Sequence, residues 1–309
     1  MLLHKLPLDK RIKLYSEALM LNKQGVSPRA IERRFRSTYG YSVAATNINK
    51  WVYHGARPDT RANIPNLSPS PQLSYFLGAY KGDGYAYCDP RNRIFRIGFR
   101  VKDRDFAKHA ARAVAYVLRR RPIRLWTAKG DGGAQDVFHV FTAASWTLRS
   151  FLRGSLEKLL VVALNYPREF LRGIFDAEGF VSVGQERNRM QMHVGIGMSN
   201  RTIIRAVQRV LLVHFGIATT GPYLRKGKPR LIRGRMAHFK RTTYEIRISI
   251  RDDVEKFARL VGFSIRRKNE RLREALKVLH TFGSRAGLSV WEERQTQGHP
   301  AFHSKVTRT

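Results

Sequence analysis

Apolar residues recur at helical spacing in the first part of the chain, up to about residue 55. This pattern predicts three short helices. Gly25 ends the first helix, Ser27 and Pro28 supply a cap and a first-turn proline for the second, and Ser42 can cap the third. A helix, a turn and then a basic, polar helix is the outline of a helix-turn-helix.

The third predicted helix carries the polar side chains with which such a motif would contact DNA. Asn47, Asn49 and Lys50 are these side chains, and asparagine can pair with adenine through two hydrogen bonds. The stretch GVSPRAIERRF followed by VAATNINKWV resembles the helix-turn-helix of resolvase- and transposase-type proteins. Two interpretations stay open for residues 1–55: a DNA-reading domain, or a small helical cap packed on the main body.

The pattern changes after this region and then repeats. Residues 56–72 contain four prolines and no periodicity, which predicts an extended linker. From there on, a helix, two strands, a helix, two strands and a helix follow one another twice. The repeat predicts an α+β fold with two αββαββα halves, at residues 73–165 and 166–280. We expect the polar tail at 281–309 to lack regular structure.

The charge of the chain narrows the class of partner. Its 309 residues include 58 Lys and Arg against 23 Asp and Glu, a formal net charge of +35. A chain with this charge is expected to bind a polyanion, which could be nucleic acid or an anionic membrane surface. We favour nucleic acid and no membrane, because no apolar run is long enough to span a bilayer and the basic residues lie on predicted strands as well as helices.

The number of cysteines and the first residues of the chain bear on the cellular compartment of the protein. The single cysteine, Cys88, excludes an internal disulfide framework and a cysteine-based zinc site. The first residues lack the apolar stretch and cleavage site of a signal peptide, so we expect a cytoplasmic protein.

Two nine-residue stretches, FLGAYKGDG at 76–84 and LRGIFDAEG at 171–179, share one layout. Small residues fall four apart in each, so they share a helix face and would let two helix backbones approach closely. The ends of both helices would then meet, and with them Asp83 and Glu178. A helix C-terminus disfavours a lone anion, but carboxylates and free carbonyls there suit a divalent cation, and a phosphodiester is the matching substrate. A tight turn with a satisfied aspartate is the structural alternative.

With these residues the chain resembles the single-chain LAGLIDADG homing endonucleases over about residues 73–280. The resemblance implies two four-stranded sheets that form a saddle over DNA. It implies that Asp83 and Glu178 bind Mg²⁺, helped by the carbonyls of Gly82 and Ala177, with Mn²⁺ as a replacement and Ca²⁺ binding without cleavage. The implied reaction is hydrolysis of both strands of a long specific site, leaving 3′ overhangs.

The same resemblance implies that a basic residue after the second strand of each half organises the active-site waters. Lys102 occupies this place in the first half, whereas Ser199 stands there in the second. Val181 also stands where a second lysine could have been. The motif departs further at Tyr80 and Lys81, and unequal cleavage of the two strands would follow.

Alternation along the predicted strands separates an apolar face from a polar face. In RIFRIGFRVK and MQMHVGIGM the apolar set faces the core, and arginine and glutamine side chains on the other set suit base edges in a major groove. A solvated surface would also be polar. The candidate DNA contacts are Arg96, Arg100, Arg189, Gln191, His193 and Arg247, with Arg225 in a basic loop at 225–235 that would contact phosphates.

Two other functions stay open. An intron-splicing maturase would bind intron RNA, and a non-catalytic DNA-binding regulator could be built on the same fold. The two motif carboxylates, both present here, favour the nuclease. No protein-splicing termini are evident, so we expect a free-standing monomer encoded by a mobile element.

Overall fold

A computed structural model describes residue 3 and residues 6–54, 65–89, 94–120, 123–129, 137–225, 230–232, 235–237 and 242–296. The chain divides into two compact units. One comprises residues 1–66, 88–96 and 144–152, and the other comprises residues 67–87, 97–143 and 153–309.

Three helices form a small N-terminal core. They are α1 (Leu8–Lys23), α2 (Pro28–Tyr39) and α3 (Ala45–Tyr53). Ile31, Phe35 and Ile48 are fully buried between them. Amphipathic spacing therefore predicted these helices, because each buries one apolar face against the other two.

The caps of these helices are only partly as expected. Ser27 caps α2 by accepting a hydrogen bond from the backbone N–H of Ala30 at 3.4 Å. The prediction that Ser42 caps α3 is wrong, because α3 begins at Ala45. The side chain of Glu32, on α2, instead accepts the N–H of Ala45 at 3.0 Å and ties the two helices together.

The repeated part of the chain has the predicted order of helices and strands. The first half contains α4 (Pro71–Asp83), β1 (Gly84–Asp89), β2 (Ile94–Val101), α5 (Arg104–Val117), β3 (Trp126–Lys129), β4 (Val137–Ala144), α6 (Trp146–Leu152) and α7 (Leu156–Ala163). The second half contains α8 (Pro167–Glu178), β5 (Gly179–Glu186), β6 (Arg189–Met198), α9 (Arg201–Phe215), β7 (Thr220–Arg225), β8 (Arg230–Ile232), β9 (Arg235–Ala237), β10 (Thr243–Ile248), α10 (Arg251–Leu260) and α11 (Arg266–Thr296).

Each half builds one four-stranded sheet with the same topology. The strand orders are β1-β2-β4-β3 and β5-β6-β10-β7, so the second strand of each sheet is central and pairs with the last strand of that sheet in chain order. In the second sheet, β6 pairs antiparallel with both β5 and β10. The predicted α+β fold with two αββαββα halves is confirmed.

Alternation assigned the strand faces correctly. Ile97 and Phe99 on β2 and Val194 and Ile196 on β6 are fully buried. The polar side chains lie at even-numbered positions of β2 and at odd-numbered positions of β6. The ring of Phe99 stacks on that of Phe141 with centroids 5.2 Å apart. The inner faces of the sheets are thus covered by their helices, which leaves the polar faces outward.

Four boundary predictions are wrong. The linker expected to reach residue 72 ends earlier, because Ser70 accepts the N–H of Leu73 and starts α4 at Pro71; residues 56–64 lie outside the described residues. The single helix expected at the end of the first half is two helices, α6 and α7.

The expected basic loop at 225–235 contains strands β8 and β9, which pair with each other because their backbone groups satisfy one another in a hairpin.

The tail expected from residue 281 is helical to Thr296. A positive φ of 69° at Gly283 breaks α11, and Trp291 beyond it is buried, with the guanidinium of Arg271 5.6 Å from its ring centroid. Residues 297–309 lie outside the described residues. Within the described residues, no helix is long and apolar enough to cross a membrane.

Candidate metal and nucleic-acid site

Helices α4 and α8 pack backbone against backbone at their small residues. A Cβ atom added to Gly78 would lie 2.1 Å from the carbonyl oxygen of Phe170, and one added to Gly173 would lie 2.2 Å from that of Tyr75. Nearer the helix ends, a Cβ on Gly82 would lie 2.4 Å from the Cβ of Ala177. The contact predicted from small residues four apart is therefore present, and only glycine fits at these points of closest approach.

This packing brings the two motif carboxylates to one place. Asp83 is the last residue of α4 and Glu178 is the last residue of α8. Each is followed by a glycine in extended conformation that begins a strand. A Cβ on Gly84 or Gly179 would lie within 2.7 Å of a carbonyl oxygen of the preceding helical turn, which explains the glycine after each acid.

The carboxylates are close enough to repel each other. Burial and the charge of Asp83 raise the pKa of Glu178 to about 7. Partial burial also raises the pKa of Asp83, although that side chain still reaches solvent, and the positive charge of Lys268 opposes both shifts. Two mutually repelling carboxylates, of which Glu178 is half-buried, are an unfavourable arrangement that a bound cation would relieve.

The donor set fits one class of metal. Among the described residues, no group of three or more His, Cys, Asp and Glu side chains could hold an ion. Mg²⁺ commonly binds through one or two carboxylates and keeps several waters for substrate phosphates. Asp83 and Glu178 are hard oxygen donors that suit a divalent cation bound in this way. Contributions from the carbonyls of Gly82 and Ala177 stay a prediction.

Lys268, near the start of α11, is a residue that sequence reasoning missed. Its ammonium donates to the backbone carbonyls of Phe175 and Asp176, at 3.1 and 2.6 Å. It therefore caps the last turn of α8, where carbonyls have no helical partner. Burial lowers the pKa of Lys268 to about 8. Nothing in the stretch RRKNERL distinguishes this lysine from its neighbours, since its role depends on where α11 docks.

The predicted Lys102 lies in the same cleft. Asp83, Lys102 and Lys268 all line it, together with Arg100 and the ring of Phe138. The guanidinium of Arg100 is 4.8 Å and the ammonium of Lys102 is 5.8 Å from the centroid of that ring. Lys102 thus lies with the first carboxylate, whereas the charge of Lys268 acts on both carboxylates. At the equivalent place of the second half, Ser199 is exposed.

The other predicted DNA contacts lie where alternation placed them. Arg96, Arg189 and Gln191 are exposed, and His193 is half-buried. Burial and the charge of Arg247 lower the pKa of His193 to about 4, so this imidazole is neutral near pH 7.

Two of the predicted contacts are held by a shared acid. The side chain of Glu245 accepts hydrogen bonds from Arg225 and Arg247, which orients both guanidinium groups. The guanidinium of Arg247 also lies 5.8 Å from the ring centroid of Tyr223. In the three-helix core, Asn49 and Lys50 are exposed on α3 and Asn47 is half-buried.

Comparison with known proteins agrees with this architecture. Residues 165–262 match the family model described as LAGLIDADG-like domain. Uncharacterized protein MJ0398 of Methanocaldococcus jannaschii is 29% identical over 275 residues, which span 89% of this chain and 97% of that protein.

Two solved structures are also similar. I-DmoI in complex with DNA and Mn covers 63% of this chain and 97% of its own, with 22% identity and a TM-score of 0.42. The homing endonuclease I-WcaI bound to its DNA recognition sequence covers 63% of this chain and 82% of its own, with 18% identity and a TM-score of 0.44. Residues 165–262 of this chain therefore match a LAGLIDADG-like domain, and the sheet of the first half has the same strand order as the sheet of the second.

Proposed function

We propose that this protein is a sequence-specific, Mg²⁺-dependent DNA endonuclease that cuts both strands of a long site. One observation carries the proposal: Asp83 and Glu178 end two helices that touch, so two carboxylates from remote parts of the chain share one place beside a basic cleft. Because a single chain supplies both acids, a monomer contains the complete site.

The chemistry follows from the charges at this place. Bound divalent cations would lower the charge on the phosphodiester and help water to attack phosphorus. Asp83 and Glu178 would hold those cations, and Mn²⁺ would be accepted by the same oxygen ligands. The ammonium groups of Lys102 and Lys268 would stabilise the negative charge that develops on the phosphate oxygens as the water attacks. The two cuts would leave 3′ overhangs.

The outward faces of the two sheets would hold the target duplex. Their exposed arginine and glutamine side chains can reach base edges in the major groove, which admits a two-stranded ribbon. Arg225 and Arg247 are positioned by Glu245, so their orientation does not have to be acquired on binding. We propose Arg96, Arg100, Arg189, Gln191 and His193 as further contacts of this surface.

The N-terminal helices would extend the footprint. Asn49 and Lys50 are exposed on α3, as a recognition helix requires. Deletion of residues 1–66 should shorten a DNase footprint on the target while the metal site stays intact. An unchanged footprint would remove these helices from DNA binding.

A cleavage assay tests the proposal directly. The substrate is a plasmid that carries the two genomic sequences flanking this gene. They are joined directly, as they would be if the mobile element that contains the gene were absent. We expect double-strand breaks with Mg²⁺, none with EDTA, and loss of cleavage in both Asp83→Asn and Glu178→Gln. The matched control is Asp252→Asn, an exposed carboxamide substitution on α10. Cleavage that survives both site substitutions would refute the assignment, and RNA binding without any DNA cleavage would favour a maturase.

A further inference from the structure

Two helices at equivalent places in the two halves carry the same row of basic residues. Helices α5 and α9 each follow the second strand of their half, and each begins after a residue, Asp103 or Asn200, whose side chain caps two backbone N–H groups. Positive side chains stand one, five and nine positions after each cap, and all are exposed. These rows are Arg104, Lys108 and Arg112 on α5, and Arg201, Arg205 and Arg209 on α9.

Beyond its first member, each row lies on the side of its helix opposite the sheet. On α5, the opposite side is buried, and the ring of Phe106 packs edge-on against Phe99 of β2 at 6.0 Å. On α9, Ile204 and Val207 are fully buried where the helix packs on β6, β7 and β10. The later members of the rows, Lys108, Arg112, Arg205 and Arg209, therefore lie on a different side of the protein from the outward faces of the sheets.

The positive charge of the rows is not compensated within the described residues. Arg201 lies over the ring of Tyr244 at 5.7 Å, and no acidic side chain forms an ion pair with any of the six. Like charges four positions apart on a helix repel each other. Asp105 stands beside the α5 row but forms no ion pair with it, and an unpaired basic row on each half indicates an anionic partner.

We propose that the rows on α5 and α9 bind the phosphate backbone of a second DNA duplex. Each row is about 12 Å long at about 1.5 Å per residue, enough to follow about three phosphates of one strand. The two strands of a duplex are equivalent, so two equivalent rows can take one strand each. Arginine and lysine without asparagine or glutamine suit the backbone rather than bases. This inference rests on the proposed function only for the first duplex, which the sheets would hold.

A capture experiment tests this second surface. The full-length protein is bound to an immobilised short duplex of mixed sequence, washed, and offered a fluorescent duplex of another sequence. The test variant replaces Lys108, Arg112, Arg205 and Arg209 by glutamine. The control variant removes the same charge elsewhere in the second unit, at Arg259, Arg273, Lys277 and Arg285, all of which are exposed.

We expect the wild type and the control variant to capture the second duplex, and the test variant to capture about tenfold less or worse while it stays on the first. The slope of log K for the second duplex against log salt should decrease by about 3 to 4, since each phosphate contact contributes about 0.9. Thermal melting confirms that the variants are folded.

Several outcomes would overturn the inference. They are no capture by the wild type, equal loss in the control variant, equal loss of the first duplex in the test variant, or preference for an RNA hairpin over the second duplex. A wild type that captures the second duplex but cleaves no DNA would contradict only the proposed function, so the two failures are distinguishable.

Discussion

The phenol of Tyr75 on α4 donates a 2.9 Å hydrogen bond to Asp176 Oδ2 on α8, between residues 101 apart in the chain. The other oxygen of Asp176 accepts the backbone N–H of Ser264 at 2.9 Å. Asp176 is only 1% exposed, so these partners satisfy a carboxyl group that water cannot reach. One buried side chain thus links both motif helices to the segment that leads into α11 and Lys268.

Removal of this phenol should destabilise the protein. In Tyr75→Phe, Asp176 loses a donor in a buried environment, and we expect the free energy of unfolding to decrease by about 2 kcal/mol. Urea denaturation followed by circular dichroism measures the change. The control is Tyr116→Phe, because that ring is 50% exposed, and it should have almost no effect. Equal effects of the two substitutions would mean that the hydrogen bond to Asp176 contributes little.

The close approach of α4 and α8 makes their glycines intolerant of a methyl group. In Gly173→Ala, the new Cβ would lie 2.2 Å from the carbonyl oxygen of Tyr75. The helices must then separate, which should cost about 3 kcal/mol and move Asp83 away from Glu178. We therefore expect both lower stability and loss of Mg²⁺ binding, measured by thermal melting and calorimetric titration.

A glycine in open space provides the matched control for this substitution. A Cβ on Gly184, on the exposed end of β5, would meet nothing within 4 Å. Gly184→Ala should leave both the melting temperature and Mg²⁺ binding unchanged. If Gly173→Ala is equally harmless, the helices are not held at the observed separation.

The raised pKa of Glu178 makes a prediction about the metal-free protein. Its folded pKa of about 7 lies above the ordinary glutamate value, so ionised Glu178 destabilises the fold above pH 7. As pH falls below 7 the folded protein takes up a proton before the unfolded chain does, and the cost disappears near pH 4.5. We expect Glu178→Gln to raise stability by about 1 to 2 kcal/mol at pH 8 in EDTA, after allowance for solvent screening.

Melting curves at pH 8 and pH 5, with EDTA or with Mg²⁺, check this prediction. The gain from Glu178→Gln should vanish at pH 5. Addition of Mg²⁺ at pH 8 should raise the melting temperature of the wild type and leave that of the variant nearly unchanged. A variant that Mg²⁺ stabilises as much as the wild type would show that Glu178 is not a ligand.

Lys102 and Lys268 share a cleft with Asp83, whereas Ser199 stands at the place of Lys102 in the second half, which predicts unequal cutting of the two strands. Lys268→Met removes a charge that lies with Asp83 and Lys102 in one cleft. We expect one cut to slow by about tenfold or more, since a lost group that stabilises transition-state charge costs at least this much. A supercoiled plasmid would then accumulate as the nicked circle before it becomes linear.

The control for Lys268→Met lies on the same helix. Lys277 is exposed, so Lys277→Met should leave the rates of both cuts unchanged. If Lys268→Met slows both cuts equally, the lysine acts on the whole site, for instance by positioning the end of α8, and not on one strand.

Much of this architecture followed from the order of residues. The spacing of small residues predicted a close contact of two helices, because side-chain size at i and i+4 limits how near two backbones can come. Alternation on β2 and β6 predicted the buried and polar faces, since the period of a strand does not depend on its neighbours. The repeated order of elements likewise predicted two equivalent halves.

Other features depended on contacts between distant segments. Lys268 became part of the site because α11 docks against the end of α8, and Glu32 replaced Ser42 as a helix cap because α2 lies beside α3. The chain stays helical past Gly283 because Trp291 is buried and packs against the guanidinium of Arg271. Local patterns determine which face of a helix or strand is apolar. The free energies of burial and charge pairing arise only when residues remote in sequence come into contact, so the lysine, the helix cap and the helical tail were decided by the tertiary structure.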